Sequence, residues 1–121
     1  PAPSVRGAII DALVAIGSPA AIQALESAYR AADGIQEKAE IVASIGRADG
    51  EVSGPVLDRI LTESEYLDIR LSAIDGLGAT GNLRYLARLR RLLSDEAPRV
   101  RFQAAAALLR LTRGVWLESI D

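Results

Sequence analysis

The residues best suited to chemistry lie in one run. Arg84, Arg88 and Arg91 recur at spacings of four and three, so a helix would place them on one stripe, while Leu86, Leu89 and Leu93 would face inward. A planar guanidinium donates two parallel hydrogen bonds to a carboxylate or phosphate, so such a stripe suits docking of an acidic segment. Tyr85 beside it, read as partly exposed, offers a face for stacking, and Arg59 on an earlier segment is the register counterpart of Arg88 and extends the strip. An alternative reading is a solvated face whose arginines pair internally with Asp58 or Glu63.

Other chemistries are thinly supplied. The chain contains neither Cys nor His, which removes thiolate nucleophiles, imidazole bases and the usual zinc ligands. Carboxylates occur close together at Asp95-Glu96 and at Glu63 and Glu65, but at helix ends, where dipole and solvent explain them. Asp49 and Glu51 within RADGEVSG (residues 47–54) supply too few oxygens for a calcium loop. No phosphate-binding glycine loop or nucleophile elbow is present. We therefore expect no catalytic residues, no metal and no cofactor.

The elements that position these residues follow from a repeat. Take Val5 as position 0 of a register: Leu13, Gly17, Ile22 and Leu25 fall at +8, +12, +17 and +20. From Ile69, the same offsets give Leu77, Gly81, Leu86 and Leu89; from Val100 they give Leu108, Thr112, Leu117 and Ile120. From Gly34, Val42 and Gly46 hold the first two, and Leu57 and Ile60 take the last two roles six residues late, across RADGEVSG. Steps of 29, 35 and 31 thus reflect one template with two insertions.

Each copy reads as helix, tight turn, helix. Gly17, Gly46 and Gly81 suit left-handed helix ends. Ser18-Pro19, Ser53-Gly54-Pro55 and Asn82 are start signals, as is Asp95 or Glu96 ahead of Pro98. Helices are expected near 4–16, 19–32, 35–46, 54–64, 67–79, 82–93, 97–112 and 115–120, with RADGEVSG a flexible loop. The repeats run over about 5–33, 34–68, 69–99 and 100–121, in a single domain covering 1–121. Tyr29 and Phe102 are read as packing residues and Trp116 as a cap on the last repeat.

Val5-Arg6, Ile69-Arg70 and Val100-Arg101 open first helices, and Ala73-Ile74, Leu77-Gly78 and Gly81 follow in the third copy. This resembles the short HEAT repeat of the phycobilisome-lyase type, over essentially the whole chain. The second copy departs from it with Gly34-Ile35, and the fourth lacks the turn glycine. The resemblance implies an all-α, right-handed solenoid of about four hairpins, with second helices lining a concave, partner-binding face. Arg6, Arg70 and Arg101 at +1, and Asp11 and Asp75 at +6, recur in register and are expected to form a structural ladder between repeats.

The leading reading is a non-enzymatic scaffold that binds another protein on that concave face. Alternatives are an accessory module of an enzyme, as in bilin-lyase-type subunits, and a nucleic-acid-binding HEAT-like domain. Residues 1–83 carry a net −6 and residues 84–113 a net +6, in a chain of net −2. The basic segment permits nucleic acid, but the overall acidity, the single Lys and the five aromatic residues count against it. The same asymmetry permits head-to-tail association of an otherwise monomeric chain. No apolar run is long enough to span a bilayer. Pro1-Ala2-Pro3-Ser4 reads as linker, and the absence of an initiating Met marks a piece of a longer protein.

Overall fold

The computed structural model describes residues 3–113. Seven α-helices follow one another: α1 (Pro3–Ile16), α2 (Pro19–Ala31), α3 (Ile35–Ile45), α4 (Gly50–Glu63), α5 (Leu67–Ala79), α6 (Leu86–Leu92) and α7 (Pro98–Leu111). A single 3₁₀ turn, Leu83–Tyr85, leads into α6. No strand occurs among the described residues. The α1–α2 and α3–α4 hairpins stack through α1 on α3 and α2 on α3 and α4; α5 packs on α3, α4 and α7, and α6 packs on the 3₁₀ turn and on α7. This is a solenoid-type stack of hairpins. The eighth helix expected at 115–120, with Trp116, Leu117 and Ile120, lies outside the described residues.

The core follows the register. Ile22, Leu25, Val42, Leu57, Ile60, Leu77 and Leu89 are fully buried, and Leu13, Leu86 and Leu108 pack partly buried against them. First helices approach one another through small residues. A β-carbon at Gly46 would come within 3.1 Å of the Gly76 Cα, and one at Gly78 within 2.8 Å of Ala107. Second helices are bridged instead by long polar side chains, described below.

Local signals set most ends. The Ser18 side chain accepts from the Ala21 amide, and Pro19 opens α2. Gly17 and Gly81 adopt φ values of 61° and 66°, in the left-handed region glycine favours. Several expectations are corrected. Gly46 is right-handed at φ −64°, so its place in the register reflects close packing rather than a left-handed cap. RADGEVSG is not an open loop: Asp49 caps α4 by accepting from the Glu51 amide, and the helix runs from Gly50 straight through Pro55. Proline prefers a first turn but is tolerated farther in at the loss of one backbone hydrogen bond; burial of Val52, Ser53, Gly54 and Val56 against the stack holds this turn helical. Pro3 and Ser4 belong to α1 rather than to a linker.

Three side chains also differ from expectation. Leu92, not Leu93, is buried, because the 3₁₀ turn shifts the phase of α6 relative to a continuous helix from residue 82. Tyr85 is buried, its ring lying on Gly54 where any side chain would collide with it. Phe102 projects from α7 with most of its surface exposed and is not a core residue.

Candidate functional site

The second helices carry a connected set of charges. Glu26 on α2 accepts from Arg59 of α4 through both carboxylate oxygens, at 3.0 Å from Nε and 2.9 Å from Nη2. Arg30, one turn farther along α2, also donates to Glu26 at 2.9 Å and lies 3.1 Å from Glu63 of α4. The Arg59 hydrogen bond, with help from Arg30, holds the Glu26 carboxyl below the usual glutamate range despite partial burial. One repeat on, Arg88 donates to Asp58 at 3.1 Å and to the Thr62 hydroxyl at 2.9 Å. An acid on one second helix is thus bridged to an arginine on the next, twice in succession.

The arginine strip divides accordingly. Arg59 and Arg88 are engaged between repeats. Arg84 and Arg91 are exposed, and no carboxylate of the described residues lies within 4.0 Å of either. Arg84 sits in the 3₁₀ turn, whose start is set by the Asn82 side chain accepting from the Arg84 amide. Tyr85, expected beside the strip as a stacking surface, is buried instead; burial raises its phenol pKa, and the neighbouring Arg84 guanidinium opposes that shift.

The recurrent Arg and Asp positions sit on the first-helix side. Arg6 pairs with Glu37 on α3. Asp11 accepts from Arg47 at 3.1 Å, and Asp75, its register equivalent, from Arg110 at 2.8 Å. Arg70 donates to Asp95 at 2.9 Å, while the other Asp95 oxygen accepts from the Ala97 amide; the Arg70 bond chiefly lowers the Asp95 pKa. Arg101 donates to the backbone carbonyls of Asp95 and Glu96 ahead of its own helix.

One polar residue escaped sequence reading. Lys38 reaches back to the carbonyls of Tyr29 and Arg30, at 2.7 and 3.2 Å, and lies over the Tyr29 ring. It donates to carbonyls in the last turn of α2, where a cation is favoured by the helix dipole. Its only signal was being the single Lys at a position where other copies carry an apolar residue.

Among the described residues no group of His, Cys, Asp or Glu is placed to hold a metal, and no helix is long and apolar enough to cross a membrane. The arrangement is a stack of helical hairpins with charge bridges on both flanks. A family model for HEAT repeats matches residues 54–114, just over half of the chain, and one for the PBS lyase HEAT-like repeat matches residues 5–32. The chain belongs to the HEAT-repeat family. HEAT repeats generally mediate protein–protein interaction, and their families are generally non-catalytic scaffolds. No curated protein and no solved structure matches the chain.

Proposed function

We propose that this chain is a non-catalytic scaffold that docks an acidic segment of a partner protein on the concave face, formed by the second helices, with Arg84 and Arg91 as the contacting cations. The observation that carries this reading is their lack of a carboxylate partner beside a face whose other arginines are engaged. Arg59 and Arg88 act as framework: their ion pairs hold α2, α4 and the 3₁₀–α6 segment at a fixed spacing, so the two guanidinium groups without a carboxylate are presented in place. A carboxylate-rich segment gains paired donors there, and its rate of encounter falls as salt screens the field.

The test uses a glutamate-rich peptide labelled for fluorescence anisotropy. Arg84→Glu with Arg91→Glu should weaken binding at least about tenfold, the worth of one or two charge-assisted hydrogen bonds. Arg99→Glu with Arg113→Glu makes the same change of net charge elsewhere and should leave most of the binding intact. Equal losses in both double variants would reduce the effect to net charge and sink the proposal.

A further inference from the structure

Between Gly46 and Leu57 lie six residues more than between Gly17 and Ile22 or between Gly81 and Leu86. This insertion, within RADGEVSG, builds a first turn of α4 ahead of Pro55. The turn lies against the residues that open the second helix of the third copy. Gly50 meets the Thr80 backbone so closely that a β-carbon on it would come within 2.7 Å of the Thr80 Cα. Glu51 Oε1 accepts from Asn82 Nδ2 at 3.3 Å. A β-carbon at Gly54 would come within 2.8 Å of the Tyr85 ring.

Arg84 stands between two residues held in this way. Asn82 Oδ1 accepts from the Arg84 amide at 2.9 Å, and the Asn82 carbonyl accepts from the Tyr85 amide at 3.2 Å. The Thr80 hydroxyl accepts from the Asn82 amide and donates to the Leu77 carbonyl, which ties the same turn to the end of α5. No carboxylate of the described residues lies within 4.0 Å of the Arg84 guanidinium, so its direction depends on the backbone that carries it. At the offsets of Asn82, Arg84 and Tyr85 the first copy has Ser18, Ala20 and Ala21, and α2 starts there without a 3₁₀ turn. The third copy, which faces the inserted turn, has an amide to donate to it, a ring to seat on it and an arginine between them.

We propose that the inserted first turn of α4 is a positioning element for Arg84: it holds the 3₁₀ turn so that the guanidinium meets the acidic segment in one orientation. This rests on the docking reading given above. An arginine loses conformational freedom when it is bound, and a turn ordered in advance removes the backbone share of that cost. Gly50 and Gly54 permit the two close approaches, and Glu51 with Asn82 closes the gap between them. Arg91, in the last turn of α6, takes its place from the helix itself.

Amide hydrogen exchange by NMR and binding of the labelled glutamate-rich peptide test it together, on the 121-residue chain and the variants Gly54→Ala and Glu51→Ala. Circular dichroism checks that each folds; Glu51 is exposed, and its variant serves if Gly54→Ala does not fold. Exchange at the Arg84 and Tyr85 amides, read without peptide, should speed up about tenfold in either variant, while the Leu89 amide in α6 keeps its rate. Glu51→Gln leaves Asn82 an oxygen to donate to and should exchange as slowly as the wild type. Peptide affinity should fall about threefold to tenfold in Gly54→Ala, with no further fall when Arg84→Ala is already present. Unchanged exchange at Arg84 and Tyr85 in both variants overturns the positioning role, whatever the peptide does. Equal losses of affinity with and without Arg84 overturn it too, as does full affinity in Gly54→Ala where Arg84→Ala has lost it. An affinity indifferent to Arg84→Ala overturns the docking reading and the proposal with it, and the exchange rates then show whether the turn was held.

Discussion

Gly78 lies so close to Ala107 that a β-carbon added to it would come within 2.8 Å of both the Cα and the Cβ of Ala107. Backbone meets backbone there, so no side-chain rotation relieves the contact. Gly78→Val should force α5 and α7 apart and destabilise the fold by about 3 kcal/mol, the upper range for an overpacked core. Gly7 on α1 has open space around it; Gly7→Ala should instead gain a few tenths to about 1 kcal/mol from helix propensity. Urea unfolding midpoints that moved in the same direction for both would refute this account of the α5–α7 junction.

The register glycines should respond to asparagine in opposite ways. Gly81 is left-handed with nothing near its missing β-carbon, so Gly81→Ala costs about 1 kcal/mol, and Gly81→Asn recovers part of it because Asn tolerates that conformation. Gly46 is right-handed but pressed against Gly76. There Gly46→Asn should be worse than Gly46→Ala, since the cost is steric. Thermal unfolding of the four variants would decide between these two orders.

Ser53 is buried in α4 with no hydrogen-bond partner for its hydroxyl. Desolvating that group without compensation costs free energy. Ser53→Ala should therefore raise stability by about 1 kcal/mol, read as a higher unfolding midpoint in calorimetry. A lower midpoint would mean the hydroxyl has a partner that matters.

The Glu26 bridge predicts acid sensitivity. Arg59 holds the Glu26 carboxyl below its ordinary value of 4.5 in the fold. The unfolded state therefore binds the proton more readily. The bridge contributes fully above pH 4.5 and its contribution is lost as pH falls through the lowered folded value. Asp95, held down chiefly by Arg70, acts in the same direction from 3.8. Glu26→Gln should cost about 1 kcal/mol at neutral pH and flatten the decline below pH 4.5, measured by urea unfolding at a series of pH values. An unchanged pH profile in the variant would remove Glu26 from that role.

Much of the architecture was legible because it is periodic. Apolar residues at +8, +17 and +20 must be buried wherever hairpins stack, so Leu77, Leu57 and Ile60 could be assigned to the core without coordinates. Gly17, Gly81, Ser18 and Asn82 act within a few residues of themselves, and their roles follow from local backbone chemistry. Pro55 misled because its preference for a first turn was weaker than the burial of the turn before it. Tyr85 and Phe102 exchanged their expected places for a related reason. Tyr85 is buried because Gly54, a whole helix away in sequence, leaves room for its ring, and Phe102 lies on the outer edge of α7.

The candidate site was legible as a set of arginines but not as a set of partners. Arg84, Arg88 and Arg91 share a helical stripe and Arg59 the register position of Arg88, as sequence alone reveals, yet only distances separate Arg59 and Arg88, bound to Glu26 and Asp58, from Arg84 and Arg91, which meet no carboxylate of the described residues. By itself the sequence determined the repeat, the hairpins and the apolar face of each helix, because these depend on residues a few positions apart on one helical period. Only the tertiary structure decided which charges are consumed between repeats and which first helices meet backbone to backbone. Those depend on the spacing and rotation of neighbouring hairpins, which are set by contacts such as Gly46 on Gly76 and Gly78 on Ala107, roughly thirty residues apart in the chain.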